Sequence, residues 1–541
     1  MGRDGALAPG NQHRKGPQMP PESHFTGLDL FVLVLYFTLT MGIGAYFYVK
    51  GKSRNTEGYT AAGRSLPGIV VGLSILATFL SSISFLALPG NAVDGNWNRF
   101  VFSLSLPIAA FIAVRYFVPF YRSRGEVSAY HHLEVRFGPW ARLYTGITYL
   151  VMQMVRIGAV TFLMALPLNA LLGWDIWIII LITGVSVTLY SLIGGLVAVI
   201  WADAIQSVIL LAGAFTCLAI MLFGLPEGPG QVFAIAGEYN KFSLGGFGPS
   251  LFTDTFWVVL IYGVFINLTN FGIDQNYVQR YVASKSDREA SKSVWLGALL
   301  YIPVSAVFFF IGTALFAFYA AQPELLPLEN TPPSLRAVHN IEPLEPSPPI
   351  TGDRVFPYFI VSQLPPGLTG LLIAAIFAAA MSTTSTSLNS SATILMTDVY
   401  KRYIRPDANE KQTMLVLYGA TLVWGLLGTL VAIGLIWARG ILDAWWTLQG
   451  ILAGGMLGLF LLGMISRRAT SGAAAIGVVV GVLVIAWLSL SPMMGFLPEA
   501  LQNPFHNLLT IVLGTMTIIL VGMLVTSLIT GGGIGAEEER P

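Results

Sequence analysis

The chain has 541 residues, of which 55% are hydrophobic and only 11% charged, where a soluble domain would carry roughly 25% charged residues. A net charge of +1 offers no field for nucleic acid or another highly charged partner, and the single cysteine, Cys217, excludes a disulfide framework or a thiolate metal centre. Apolar runs close to the ~20 residues needed to cross hydrocarbon recur from end to end, so the chain reads as an all-α integral membrane protein of the lipid bilayer.

Residues 1–26 are polar, rich in Pro and Gly, and read as a disordered N-terminal tail. About 13 spans follow, beginning near residues 28, 67, 98, 138, 174, 198, 255, 293, 358, 412, 443, 470 and 507. Positive charge alternates between the connections. Lys50, Lys52, Arg54 and Arg64 follow the first span, and Arg122, Arg124 and Arg136 the third. Arg280, Lys285, Arg288 and Lys292 follow the seventh, Lys401, Arg402, Arg405 and Lys411 the ninth, and Arg467 and Arg468 the eleventh. The positive-inside rule then places the N-terminus outside and, with an odd number of spans, the C-terminus inside. Two long outside loops, the Gly-rich 225–254 and the Pro-rich 321–356, are expected to form irregular caps. Residues 531–541 form a short C-terminal tail with no signalling module.

Four places break the apolar pattern. In "GLSILATFLSSISFLALPG", residues 72–90, four serines and a Pro-Gly end point either to a helix broken at the midplane or to close helix packing. Arg156 lies mid-span in "LVMQMVRIGAV" and must face a cavity or a partner. Its planar fork suits a carboxylate ligand, with a buried acid or backbone carbonyls as the alternatives. Asp203, in "LIGGLVAVIWADAIQSVILL", could hold a cation, relay a proton or merely end a helix. In "FAAAMSTTSTSLNSSATI", residues 377–394, hydroxyls crowd a greasy helix. Ser382, Ser385 and Thr386 share one face, with Thr383 about 100° around it. Hydroxyls and carbonyls together could coordinate an alkali cation, or the hydroxyls could simply bond between helices. His131 and His132 lack metal-ligand spacing.

Three stretches taken together, "GGLVAVIWADAIQ" (194–206), "DQNYVQRYVASKS" (274–286) and "FAAAMSTTSTSLNSSATILMTDVY" (377–400), resemble the sodium:solute symporter family, which includes the sodium/glucose symporters. "SAYHHLEVRFGPWARLY" fits as well. "ATFLSSISFLALPG" and "VRIGAVTFL" bring the likeness nearest to the bacterial sodium/sialic acid symporter branch. The resemblance implies a leucine-transporter-like 5+5 inverted repeat. The extra N-terminal helix would occupy 27–50, the repeats 67–224 and 255–465, and two C-terminal helices 470–530. It also implies two sodium sites. The first would use the carbonyls of Ala77, Leu80 and Ala379 with the hydroxyls of Ser382 and Thr383. The second would use Asp203 with Ser382, Ser385 and Thr386.

For substrate, the resemblance assigns Arg156 to a sialic acid carboxylate, with Ser81 and Ser84 as polar neighbours. The pocket departs from that branch in three places. Phe79 stands where the branch has Thr, Ser103 where it has Gln, and Arg99 where it has an aromatic residue. The gating position of the sugar branch holds Asn270, with Phe271 beside it as a stacking lid. The expected activity is sodium-coupled import of a small carboxylate, sialic acid first, by alternating access and by a monomer of the bacterial inner membrane. A neutral sugar or small monocarboxylate is the alternative cargo, and a transporter-like ligand sensor the alternative of another class. No nucleophile–base constellation suggests an enzyme.

Overall fold

The computed structural model describes residues 26–51, 54–327, 331–341, 352–437, 441–494 and 497–531. The two predicted tails, apart from Thr26 and Gly531, lie outside the described residues, as do Lys52 and the prolines at 343, 346, 348 and 349. Among the described residues ten helices are long and apolar enough to cross a membrane, or twelve when two sharply bent pairs are each counted as one span. A shorter apolar helix, Ile176–Leu192, falls where the fifth span was expected. The predicted ninth span starts ten residues late. Val355–Ser362 is a separate short helix, and Pro365, Pro366 and Gly367, the last at φ +86°, turn the chain before the true span opens at Leu368.

The first broken span joins Gly68–Phe79 to Ser82–Asp94 with a bend of 53°. Leu80 and Ser81 leave the helical region for extended backbone, and the Ser81 hydroxyl caps the second half by accepting the Ser84 N–H at 3.3 Å. A second broken span, not foreseen from the sequence, joins Phe256–Gly272 to Gln275–Val282, again bent by 53°. Here the Asp274 carboxylate is the cap, accepting the Asn276 N–H at 2.8 Å.

The hydroxyl-rich helix, Leu368–Ile394, continues through Ile404 in wider π-type turns. It is buried at every position from Leu372 to Ile394, as befits a helix enclosed on all sides by others. It packs against the arginine helix Pro139–Leu172, the aspartate helix Gly194–Phe223, the first broken span and the N-terminal helix Gly27–Val49. Its N-terminus is held by that last helix. Fully buried Asp29 accepts the N–H groups of Gly367 and Gly370, each at 2.7 Å, a carboxylate on the positive end of a helix dipole.

The aspartate helix is separated from Ile176–Leu192 by a break at Gly195, where φ is +55°. A Cβ there would lie 2.8 Å from the Tyr59 ring, so glycine is required by conformation and by space. The two C-terminal helices, Ser471–Leu490 and Thr510–Gly531, pack on each other and on Ile441–Ile465, with Gly477 and Gly481 meeting Ile518.

The two long loops, 225–254 and 321–356, are less irregular than expected where they are described. The first contains the helix Gly230–Glu238, and the second Pro333–Val338. From the first, buried Lys241 donates to the carbonyls of Val93 at 2.7 Å and Gly95 at 3.0 Å, closing the C-terminal end of the first broken span. Burial pushes the Lys241 ammonium down to about 8, against the opposing pull of Asp94.

Candidate functional site

The expected first sodium site is a meeting of two helices at the first break. Ser382 donates to the carbonyl of Ala77 across the interface at 3.1 Å and to that of Ala379 in its own helix at 3.3 Å. Thr383 donates to the same Ala379 carbonyl at 3.2 Å. Leu80 stands at the extended residue of the break, where the regular i to i+4 ladder ends. Four of the five named residues therefore share a connected cluster of hard oxygens, and the fifth lies three residues along the same strand of backbone.

The second expected site contains a group that the sequence reading had placed in a cytoplasmic loop. Arg280 is not a loop residue. It lies in the buried helix Gln275–Val282, 1% exposed, because fully buried Asp203 supplies a counter-charge at 2.7 Å. The guanidinium also donates to Ser74 at 2.8 Å and to the Thr386 hydroxyl, while Ser74 donates to Asp203 at 2.7 Å. Asp203 Oδ1 is buried without a hydrogen-bond partner among the described residues, which leaves one carboxylate oxygen unsatisfied. Ser385 and Thr386 both bond back to the Ser382 carbonyl, at 3.3 and 2.6 Å. Asp203, Thr386 and Ser382 are thus linked, with Arg280 between the aspartate and the threonine.

Arg156 sits between the two helix breaks. Its guanidinium is 3.4 Å from the carbonyl of Thr78 and 3.9 Å from the carboxylate of Asp274. The buried acid that the sequence reading left open as an alternative partner is present, at the cap of the second broken span. Beside it, Phe79 packs edge-on against Phe271 at 5.8 Å and in tilted contact with Tyr277 at 4.8 Å and Tyr301 at 5.3 Å. Ser81 and Ser84 stay at the first break, where the Ser84 hydroxyl donates to the Phe79 carbonyl at 3.2 Å. Ser103 donates to Ser305 of the helix Asp287–Ala321 at 2.8 Å, while Asn270 donates to Asn267 of its own helix at 3.2 Å.

The motif "DQNYVQRYVASKS" held more than the sequence reading drew from it. All eight residues of Gln275–Val282 are buried, and the three amide side chains, Arg280 and Tyr281 each have a hydrogen-bond partner. Gln275 donates to the Val127 carbonyl, and Asn276 to Gln153. Gln279 donates to the Thr60 carbonyl and to Asn389, tying the short helix Thr56–Ala61 to the hydroxyl helix. Lower on the hydroxyl helix, Arg142 pairs with Asp398 at 2.6 Å and with Glu134 at 2.7 Å. The signal for these residues was a cluster of polar side chains with no turn-forming glycine or proline. No group of three metal-ligating His, Cys, Asp or Glu side chains exists among the described residues.

Comparison with known proteins decides the class. The family model for the sodium:solute symporter family matches residues 59–481. The chain belongs to the sodium:solute symporter family. It is 33% identical over 507 residues to the sodium/sialic acid symporter NanT of Aliivibrio fischeri, covering 92% of this chain and 93% of that one. It is 33% identical over 465 residues to the sodium/sialic acid symporter SiaT of Proteus mirabilis, covering 85% and 89%. A solved structure of a Na+-coupled sialic acid symporter in a substrate-bound outward-open state matches with a TM-score of 0.82 at 29% identity, over 93% of this chain and 98% of the other.

As a sodium:solute symporter the protein is a multi-pass membrane transporter and not an enzyme, with the leucine-transporter-like all-α fold. In that fold the two broken spans are the elements where a small solute meets carbonyls and helix ends freed by the breaks. Arg156, Asp274 and the Ala77–Ser382 contact all lie at those breaks.

Proposed function

We propose that the protein imports a small organic carboxylate, N-acetylneuraminate, with sodium across the bacterial inner membrane by alternating access. The observation that carries this reading is the position of Arg156, a guanidinium in the bundle core between both helix breaks that touches the Thr78 carbonyl, one residue along from the Ala77–Ser382 contact. Sodium binds first, through Ala77, Leu80, Ala379, Ser382 and Thr383, and draws the first broken span onto the hydroxyl helix. A second sodium uses the free oxygen of Asp203 with Ser382, Ser385 and Thr386. The substrate carboxylate then pairs with Arg156, beside Ser81, Ser84 and Ser103, and Phe79 and Phe271 close over it. The protein works as a monomer with its N-terminus outside and its C-terminus inside. Residues 67–224 and 255–465 form the two repeats that rock against each other.

The wall of Phe79, Phe271, Tyr277 and Tyr301 supports a second reading, a compact monocarboxylate in place of a nine-carbon sugar acid. Equilibrium binding of labelled N-acetylneuraminate in sodium, with lactate and glucose as competitors, separates the two. The proposal expects saturable binding that glucose and lactate leave intact and that Arg156→Ala abolishes, while sodium still stabilises the variant against heat. Displacement by lactate at low concentration would favour the compact cargo, and normal binding to Arg156→Ala would refute the clamp.

A further inference from the structure

The contact between Arg156 and Asp274 has a consequence for coupling. At 3.9 Å it is an ion pair without a hydrogen bond, so the guanidinium is charge-balanced while, among the described residues, only one of its donors is engaged, by the Thr78 carbonyl at 3.4 Å. Asp274 is not free to swing away. One of its carboxylate oxygens is pinned by the Asn276 N–H at 2.8 Å, at the start of the Gln275–Val282 helix, and its side chain is 4% exposed. The other two charges of this region, Arg280 and Asp203, are bound to each other at 2.7 Å. The four buried charges therefore sum to zero before any solute enters.

We propose that Asp274 neutralises Arg156 and thereby makes carboxylate binding conditional on sodium. This rests on the reading of Arg156 as the carboxylate clamp. A substrate carboxylate joining the pair would put two negative groups around one guanidinium in a medium of low dielectric, leaving a net charge of −1 that a buried site tolerates poorly. A sodium ion restores the balance. The place for it lies next door, because the Thr78 carbonyl that Arg156 touches follows Ala77, whose carbonyl receives Ser382. Sodium and substrate are thus linked through charge as well as through the shape of the broken helix. Asp274 weakens the substrate in the absence of sodium and so prevents the carrier from cycling with the carboxylate alone.

The test uses the full-length protein in detergent and the variants Asp274→Asn, Asp274→Glu and Arg156→Gln/Asp274→Asn. The first readout is the sodium concentration giving half-maximal thermal stabilisation, with no substrate present. An unbalanced Arg156 repels the cation, so Asp274→Asn should weaken sodium binding by roughly fivefold or more, in the usual range for linked sites. The double variant, with both charges removed, should return it to near the wild-type value, as should Asp274→Glu. The second readout is N-acetylneuraminate binding in potassium against sodium. Asp274→Asn should gain affinity in potassium by about tenfold and lose most of the sodium dependence. An unchanged sodium half-saturation in Asp274→Asn, with carboxylate binding still sodium-dependent, would overturn the inference. So would restoration by Asp274→Glu but not by the neutral double variant, which would mark Asp274 as a hydrogen-bonding cap alone. If the wild type bound no carboxylate in sodium, the clamp reading would fail, while the sodium titration would still decide whether Asp274 balances Arg156.

Discussion

Ser382 shows how much a single hydroxyl in hydrocarbon can carry. It reaches the Ala77 carbonyl of another helix at 3.1 Å and the Ala379 carbonyl of its own at 3.3 Å, so its oxygen sits where two sets of acceptors converge. A hydrogen bond or ligand contact to a charged group is worth about 1.5–3 kcal/mol, which corresponds to tenfold or more in affinity. Ser382→Ala should therefore raise the sodium concentration for half-maximal thermal stabilisation by about tenfold. Unchanged sodium dependence would remove Ser382 from the ligand set. His132, in the short helix His131–Phe137, makes a separate residue-scale prediction. Burial among Phe120, Tyr121 and Phe460 pushes its imidazole down to about 3 from 6.5. The unfolded chain binds the proton near 6.5 and the folded protein does not, so this residue removes stability as pH falls from 6.5 towards 3. At pH 5 the loss is about 2 kcal/mol, and His132→Phe should abolish that part of the acid sensitivity of the melting temperature.

At the scale of elements, the first break was legible and the second was not. Four serines and a Pro-Gly end stand out in an apolar run, so residues 72–90 offered a broken helix as one of two readings, close helix packing being the other. The second break hides in "DQNYVQRYVASKS", whose polarity reads as an ordinary cytoplasmic loop. Only the surrounding helices, with Asp203, Thr386, Gln153 and Asn389 pointing inward, supply the partners that let such a segment be buried. For the same reason Asp203 was readable as an ionisable residue at membrane depth, whereas its partner Arg280 and the Asp274 opposite Arg156 were not. The short helix Thr56–Ala61 depends on tertiary fit in the same way. Tyr59 packs on Gly195 and reaches the Thr421 hydroxyl at 3.1 Å. Gly195→Val would place a Cβ against the Tyr59 ring at a φ that a β-branched residue rarely adopts, a cost of about 1–3 kcal/mol from backbone strain before any clash. A lowered melting temperature together with faster proteolysis within residues 54–64 is the expected result. A variant as stable and as protected as wild type would show that the break does not hold this helix in place.

For the whole molecule, the large apolar side chains on the outside, such as Leu415, Leu426, Leu520 and Leu528, each more than half exposed, form the lipid-facing surface, and the four charges beside the helix breaks, Arg156 with Asp274 and Arg280 with Asp203, are paired. Such an arrangement lets the carrier change shape in the bilayer without carrying uncompensated charge when empty. Two sodium ions with one monoanion would move a net charge of +1, and each elementary charge gains about 2.3 kcal/mol per 100 mV of membrane potential. Uptake should then respond to voltage as well as to the sodium gradient. The most direct test of the account is uptake of labelled N-acetylneuraminate into proteoliposomes with an inward sodium gradient and, in parallel, a potassium gradient. The account predicts accumulation above the external concentration in sodium, enhanced by an inside-negative potential, and none in potassium. Equal uptake in the two salts, or no uptake by a preparation that sodium still stabilises against heat, would contradict it.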